Sequence, residues 1–241
     1  MKQITKDVYF IQGQDEMMPD AHAYLIGKPS SGDLSLIDAG VMGKGDYKIE
    51  SIKEMGIRLS DIKRVIVTHT HLDHIGCLSD IVQAIPNLQI WMHTDEAEPL
   101  EQGDETIAYG MDMFKDMCQT QYGIKPGAFC FDVDRKLEGG ETLEIGDMTW
   151  EVIHIPGHSP GCIALYYRPG KILIPGDTVY ADYAIGRFDL KGASGPQLKG
   201  SLLVLADLEV DILLPGHNRI IVGLPAGYIR ETVKQWGPYL S

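Results

Sequence analysis

The sequence predicts an α/β sandwich of four layers, two mixed β-sheets packed together with helices on their outer faces. Three observations predict it. Strand-like apolar runs alternate with helical stretches through both halves of the 241 residues. No Pro/Ser-rich or low-complexity linker divides those halves. Three of the later strands also end in the same Pro-Gly turn followed by His or Asp. The chain is therefore read as one domain over 1–241 with a helical insertion at about 94–132.

The elements follow in order. Val8–Gln12, Ala21–Ile26 and Leu34–Ile37 read as strands, the last closed by the turn Asp38-Ala-Gly40. Tyr47–Met55 has apolar residues at helical spacing and Gly56 as its stop. Arg64–Val67 is apolar enough for a buried strand and runs straight into a histidine cluster. A helix is expected from about Ile75 to Ile85, ended by Pro86, and then a strand at Leu88–Met92. The insertion starts acidic, with Asp95, Glu96, Glu98, Glu101, Asp104 and Glu105. It continues as one helix with Ile107, Met111, Phe114 and Met117/Cys118 on a single face, Tyr109 and Met113 lying off it. Its surplus of apolar surface fits an active-site lid or a dimer interface as well as an outer helix. Later strands are expected at Thr142–Ile145, Thr149–Ile155, Ile163–Tyr167, Lys171–Ile174 and Asp211–Leu214, with helices at Pro196–Ala206 and Ala226–Trp236.

Composition narrows the function. A net charge of −13 gives no basic footprint for nucleic acid or an anionic membrane. No apolar run reaches the ~20 residues that span a bilayer, and the N-terminus has no signal-peptide pattern. Four scattered cysteines without CxxC spacing fit a reducing cytoplasm. The expected partner is a small-molecule substrate, with a second copy of the chain as the other candidate.

The chemistry concentrates in His69-x-His71-x-Asp73-His74 at the end of a predicted strand. Residues i and i+2 of an extended chain point the same way, so His69 and His71 can share one ion. As the chain turns into the next helix, Asp73 and His74 can face a second. Strand-end turns then supply His158, Asp177 and His217. His69, His71 and His158 make a three-nitrogen site with an open position, as catalytic zinc requires. Asp73, His74 and His217 make the other, and Asp177 can bridge the two. Ions ~3.5–4 Å apart can share a water and deliver hydroxide at neutral pH. A lone histidine in such a turn is more often structural, but five of the eight histidines fall into this scheme beside two placed aspartates. Zinc is the default metal, and the same ligands suit iron and manganese.

The ordered set Thr68-His-Thr-His-Leu-Asp-His74, Pro156-Gly-His-Ser-Pro-Gly161, Gly176-Asp-Thr178 and Pro215-Gly-His217 resembles the metallo-β-lactamase superfamily over nearly the whole chain. The resemblance implies the αββα fold. Within it, the aspartate at Asp177 departs from true β-lactamases, which usually have cysteine or serine there. Flavin-linked di-iron relatives have glutamate at the motif's second histidine, and the tRNA-processing branch needs a substrate-gripping arm. Gly176-Asp-Thr-Val-Tyr180 with Ile185-Gly-Arg-Phe-Asp189 is similar to the glyoxalase II-like hydrolases. Hydroxyacylglutathione hydrolase proper carries a further C-terminal helical domain, whereas only 24 residues follow His217 here.

The resemblance thus implies a binuclear metal-dependent hydrolase of an ester, thioester or lactone, acting through a metal-bridging hydroxide, with Asp73 also orienting that hydroxide and relaying its proton. Tyr180 matches the spacing of a tyrosine that contacts the substrate carbonyl in the lactonase branch; a packing tyrosine is the alternative. Asp38 resembles a family aspartate that orients ligand groups, or is a turn residue. His154 and His93 read as structural, His22 as a possible pocket residue, Arg187 and Asp189 as an ion pair, and Cys77 and Cys162 as free buried thiols. Rival readings are a mononuclear iron persulfide dioxygenase using His69, His158 and Asp177, an acyl-homoserine-lactone-type lactonase, and a non-catalytic scaffold.

Overall fold

In the computed structural model, which describes residues 1–15 and 18–241, the strands form two sheets. The first holds β1 (Lys2–Thr5), β2 (Val8–Ile11), β3 (Ala23–Ile26), β4 (Leu34–Ile37), β5 (Ile62–Ile66), β6 (Gln89–His93) and β7 (Arg135–Leu137), paired in chain order. Its first four strands meander antiparallel, and β4 to β7 run parallel. The second holds β8 (Thr142–Ile145), β9 (Met148–His154), β10 (Ile163–Tyr167), β11 (Ile172–Ile174), β12 (Ile212–Leu213) and β13 (Ile221–Val222), in the reverse order β13 to β8.

Three apolar layers result, because strands buried on both faces sort alternate residues to opposite sides. In β3, Tyr24 and Ile26 enter the core between the sheets, while Ala23 and Leu25 face the outer core. In β11, Ile172 and Ile174 face the other sheet and Leu173 faces outward. Trp150, Val152 and Leu165 meet Ile37 and Ile66 across the inter-sheet core. Helices α1 (Gly45–Glu54) and α3 (Leu78–Ala84) cover the first sheet, and α7 (Gly195–Ala206) and α8 (Tyr228–Trp236) cover the second. This is the predicted four-layer sandwich. Among the described residues, no helix is long and apolar enough to cross a membrane.

Several elements differ from expectation. Strands β1, β7 and β13 were not foreseen; the first two are polar edge strands, and β13 has two residues. The helix expected over 75–85 is divided into α2 (Leu72–Ile75) and α3. Cys77 leaves helical geometry between them and donates its thiol to the Ala39 carbonyl at 2.7 Å. The insertion is three helices, α4 (Thr94–Glu101), α5 (Thr106–Tyr109) and α6 (Asp112–Gln121), so its expected apolar face is broken at Gly110. Tyr109 is buried, whereas Met113 is 64% exposed.

Candidate metal centre

Strands β9, β11 and β12 run in one direction, since β9 and β11 both pair antiparallel with β10 and β12 is parallel to β11. Their C-terminal turns therefore deliver His158, Asp177 and His217 to the same edge of the second sheet. The loop after β5 delivers His69, His71, Asp73 and His74 from the first sheet. Backbone bonds stitch the edges together: Ile163 N–H donates to the Thr68 carbonyl at 2.9 Å, and His22 N–H to the Gly216 carbonyl at 2.7 Å. Gly216 must be glycine, because a β-carbon there would run into Oδ1 of Asp177.

The structure brings all seven predicted residues together in two groups. His69, His71 and His158 place ligand-type nitrogens within 4.8 Å of one another, and Asp73, His74, Asp177 and His217 do the same with nitrogen and carboxylate oxygen. Nδ1 of His71 lies 2.9 Å from Nε2 of His158. Asp177 faces both groups. Its Oδ1 is 3.3 Å from His74 Nε2, and its Oδ2 is 3.4 Å from His217 Nε2 and 3.6 Å from His158 Nε2.

The donor set fits metal ions on an observation of its own. Nε2 of His69, His71 and His74 and Oδ1 of Asp177 are buried without a hydrogen-bond partner among the described residues. Buried polar atoms are nearly always paired, so four converging orphans mark a place for a ligand-binding ion. Imidazole and carboxylate suit zinc or iron.

Electrostatics divides the two groups. Burial, reinforced by neighbouring imidazoles, pushes His69 well below the usual histidine range and His71 to about 3. Both are neutral bases with lone pairs free. In the other group burial again disfavours charge on His74, but Asp177 and Asp38 outweigh it and hold the imidazole well above its usual range. His217 is carried to about 9 by Asp177 and Asp73 against the cost of burial. Asp73 sits at about 2, burial being overcome by its hydrogen bond from His217 at 2.8 Å. His217 and His74 likewise hold Asp177 well below the ordinary carboxylate range.

The surrounding contacts fix the rings. Asp38, in left-handed backbone with φ 59°, takes the Thr68 N–H at 2.7 Å and the Thr68 hydroxyl at 2.8 Å. Its Oδ2 also lies 2.9 Å from His74 Nδ1, so Asp38 orients a candidate ligand rather than merely closing a turn. His158 Nδ1 donates to the Arg187 carbonyl at 2.7 Å.

One residue escaped sequence reasoning, which took Glu96 only as one of the acidic residues that open the insertion. It is 1% exposed. Its Oε2 accepts the Thr70 N–H at 2.9 Å and the Thr70 hydroxyl. Its Oε1 accepts the Gly161 N–H at 3.0 Å and the Ser159 hydroxyl. Thr70 stands between His69 and His71, and Ser159 follows His158, so one carboxylate ties together both loops of the three-histidine group. A β-carbon on Gly161 would collide with Glu96 Cγ. The signal available was the position alone: an acid in the first turn after β6, one strand from the motif.

The remaining candidates sort plainly. Tyr180 is buried beside the site, its ring 6.3 Å from that of His217. Arg187 forks onto Asp189 at 2.9 and 2.8 Å. His22 lies between the Gly13 N–H and the Asn218 carbonyl. Cys77 and Cys162 are free and buried, and burial pushes the Cys77 thiol up to about 12. His93, Asp95 and His154 also cluster. There the two rings stack at 3.9 Å and 17°, and both nitrogens of His93 engage backbone, so their in-plane lone pairs do not converge on one ion.

Two sheets with flanking helices and a histidine/aspartate centre at their shared edge define a class, and the comparisons agree. The profile of the metallo-beta-lactamase superfamily matches residues 20–217, so this chain belongs to that superfamily. It is 30% identical to the probable metallo-hydrolase YqgX of Bacillus subtilis, over 84% of each chain. It is 28% identical to the hydroxyacylglutathione hydrolase GloC of Haemophilus influenzae, over 76% of this chain and 79% of that one. Among solved structures, TTHA1623 in a di-iron-bound form superposes with a TM-score of 0.68 at 26% identity, covering 92% of this chain and 96% of that one. Both of these curated relatives are named as hydrolases.

Proposed function

We propose that this protein hydrolyses an ester, thioester or lactone bond of a small molecule with two divalent metal ions, zinc by default. The observation that carries the reading is Asp177, whose Oδ2 stands between the two groups of candidate ligands, 3.6 Å from His158 and 3.4 Å from His217, while Oδ1 faces His74 at 3.3 Å. In this reading His69, His71 and His158 hold one ion, Asp73, His74 and His217 hold the other, and Asp177 serves both. Ions there would polarise the substrate carbonyl and ready a water for attack at neutral pH.

The chain's own residues do the rest. Asp73 keeps a side chain 24% exposed to the cavity and is hydrogen-bonded to His217, so it can orient the attacking water and receive its proton. Tyr180 lines the cavity beside His217, where its phenol can donate a hydrogen bond to the developing oxyanion. The name of GloC supports acylated thiols as one class to test first.

Metal analysis of protein purified without added metal, combined with a panel of thioesters, esters, lactones and a persulfide, tests this. Two ions per chain and hydrolysis of an acyl substrate are expected. One iron per chain with oxygen consumed on the persulfide would replace the reading with a dioxygenase.

A further inference from the structure

A cavity of about 400 Å³ opens onto His71, His158, Asp177 and His217, large enough for a small organic ligand. One side of its wall is apolar. Leu72 comes from α2, Ala108 from α5, Phe114 from α6, and Ile185 and Leu190 from the segment after Asp177. Phe114, Ile185 and Leu190 are only half-buried, so their apolar surface is still available to a ligand. The wall is anchored beside the metal-type residues. Gly110, which ends α5 at φ 65°, sits so that a β-carbon there would stand 3.5 Å from Leu190 and 3.7 Å from the His71 ring. The Lys191 N–H donates to the Gly110 carbonyl at 2.9 Å, joining the insertion to the other side of the cavity.

Charge sharpens the point. Arg187 is the one Lys or Arg among the described lining residues, and its guanidinium is already forked onto Asp189. Asp15, Asp73 and Asp177 line the same space. With Asp73 and Asp177 given to the proposed ions, an anionic group reaching past them meets no uncommitted Lys or Arg among the described lining residues, whereas a hydrocarbon group meets a wall of matching chemistry.

We propose that the insertion forms an acyl pocket and that the substrate carries an uncharged apolar acyl chain on its scissile carbonyl. The inference rests on the hydrolase reading above and deepens it. In the reaction the oxygen of water bonds to the acyl carbon, the carbon–sulfur or carbon–oxygen bond breaks, and the leaving thiol or alcohol takes up a proton. The chain lies against Leu72, Phe114 and Leu190 while the leaving group stays on the open side.

The test uses the metal-loaded full chain and N-acetylcysteamine thioesters from acetyl to decanoyl, with succinyl and glutaryl thioesters beside them. The expected result is a kcat/KM that climbs about fourfold per added methylene until the cavity fills. Succinyl and glutaryl thioesters should fall well below butyryl and valeryl. Phe114→Ser and Leu190→Ser, at half-exposed positions that tolerate a polar side chain, should flatten the slope. A flat series with acetyl thioester turned over, or a preference for the dicarboxylic acyl groups, overturns the acyl pocket and leaves the hydrolase intact. If no thioester, ester or lactone is cleaved by protein carrying two ions per chain, the hydrolase reading itself falls, and the pocket with it.

Discussion

The two groups of the candidate centre are built on opposite principles. His69, His71 and His158 are buried, at 1%, 5% and 4% exposure, and burial keeps His69 and His71 neutral. Asp73 and His217 keep side chains 24% and 17% exposed, and their group is rich in charge. The braces differ to match. The neutral group is held by Glu96, which touches loop atoms between and after the histidines and never a ring. The charged group is held by Asp38 acting directly on His74. On the proposed function, a rigid neutral cage beside a more open charged one would divide the labour, the first fixing a metal and the second meeting water and substrate.

The largest expected effect removes what the groups share. Asp177→Ala removes a carboxylate that faces both, so both proposed sites should lose occupancy, and turnover should fall by more than the ~10–100-fold typical of an outer contact. Metal per chain by mass spectrometry, read with turnover, checks it. A variant that kept two ions and full activity would end the bridging role.

Next is Glu96→Gln. The amide keeps the shape of the carboxylate but replaces one acceptor with a donor, so the bond from one backbone N–H, of Thr70 or of Gly161, must break while the hydroxyl beside it can turn to accept. Metal affinity of the three-histidine group should drop ~10–100-fold while the other group binds as before. Zinc titration of the metal-free protein against a competing chelator resolves the two equivalents. Equal weakening of both would erase the distinction between the braces.

The contrast between Glu96 and the ligand residues also shows what the sequence could disclose. His69, His71, Asp73 and His74 lie within six positions of one another, and His158, Asp177 and His217 sit in repeated Pro-Gly turns, so local spacing announced them. The sheets were equally legible, because strands such as Ile163–Tyr167 and Leu34–Ile37 are apolar on both faces. Glu96 joins residues 26, 63 and 65 positions away, and no local pattern separates a buried bridging acid from its exposed neighbours Asp95 and Glu98. The division of the insertion at Gly110 was hidden for a related reason. Its apolar positions continue in helical register across the break, and what ends α5 is Gly110 in left-handed backbone, a single glycine that a helical pattern can also tolerate in its interior.

Asp38→Asn probes the second brace. Asparagine accepts left-handed backbone readily, so the turn survives while the charge beside His74 is lost. Affinity at the Asp73/His74/His217 group should fall by about tenfold, the low end for an outer contact, with a smaller loss at the three-histidine group, which Asp38 reaches only through Thr68 beside His69. The same chelator titration reads it, and a loss confined to the three-histidine group would invert the assignment.

Ser159→Ala should have the smallest effect, and it isolates one arm of the Glu96 bridge. The hydroxyl donates to Glu96 Oε1 and lies 3.2 Å from the Cys162 thiol. Without it Oε1 still accepts the Gly161 N–H, so no carboxylate oxygen is left bare. The loss is then one hydrogen bond to a charged group, about 1.5 kcal/mol, with no further desolvation cost. That corresponds to roughly tenfold in affinity if the bond orients His158 fully, and less if Gly161 carries the loop alone. Thermal unfolding of the metal-free protein separates the possibilities. A lower melting temperature with unchanged metal affinity makes the hydroxyl a fold contact only, whereas weaker binding at an unchanged melting temperature shows that Glu96 reaches the metal site through Ser159.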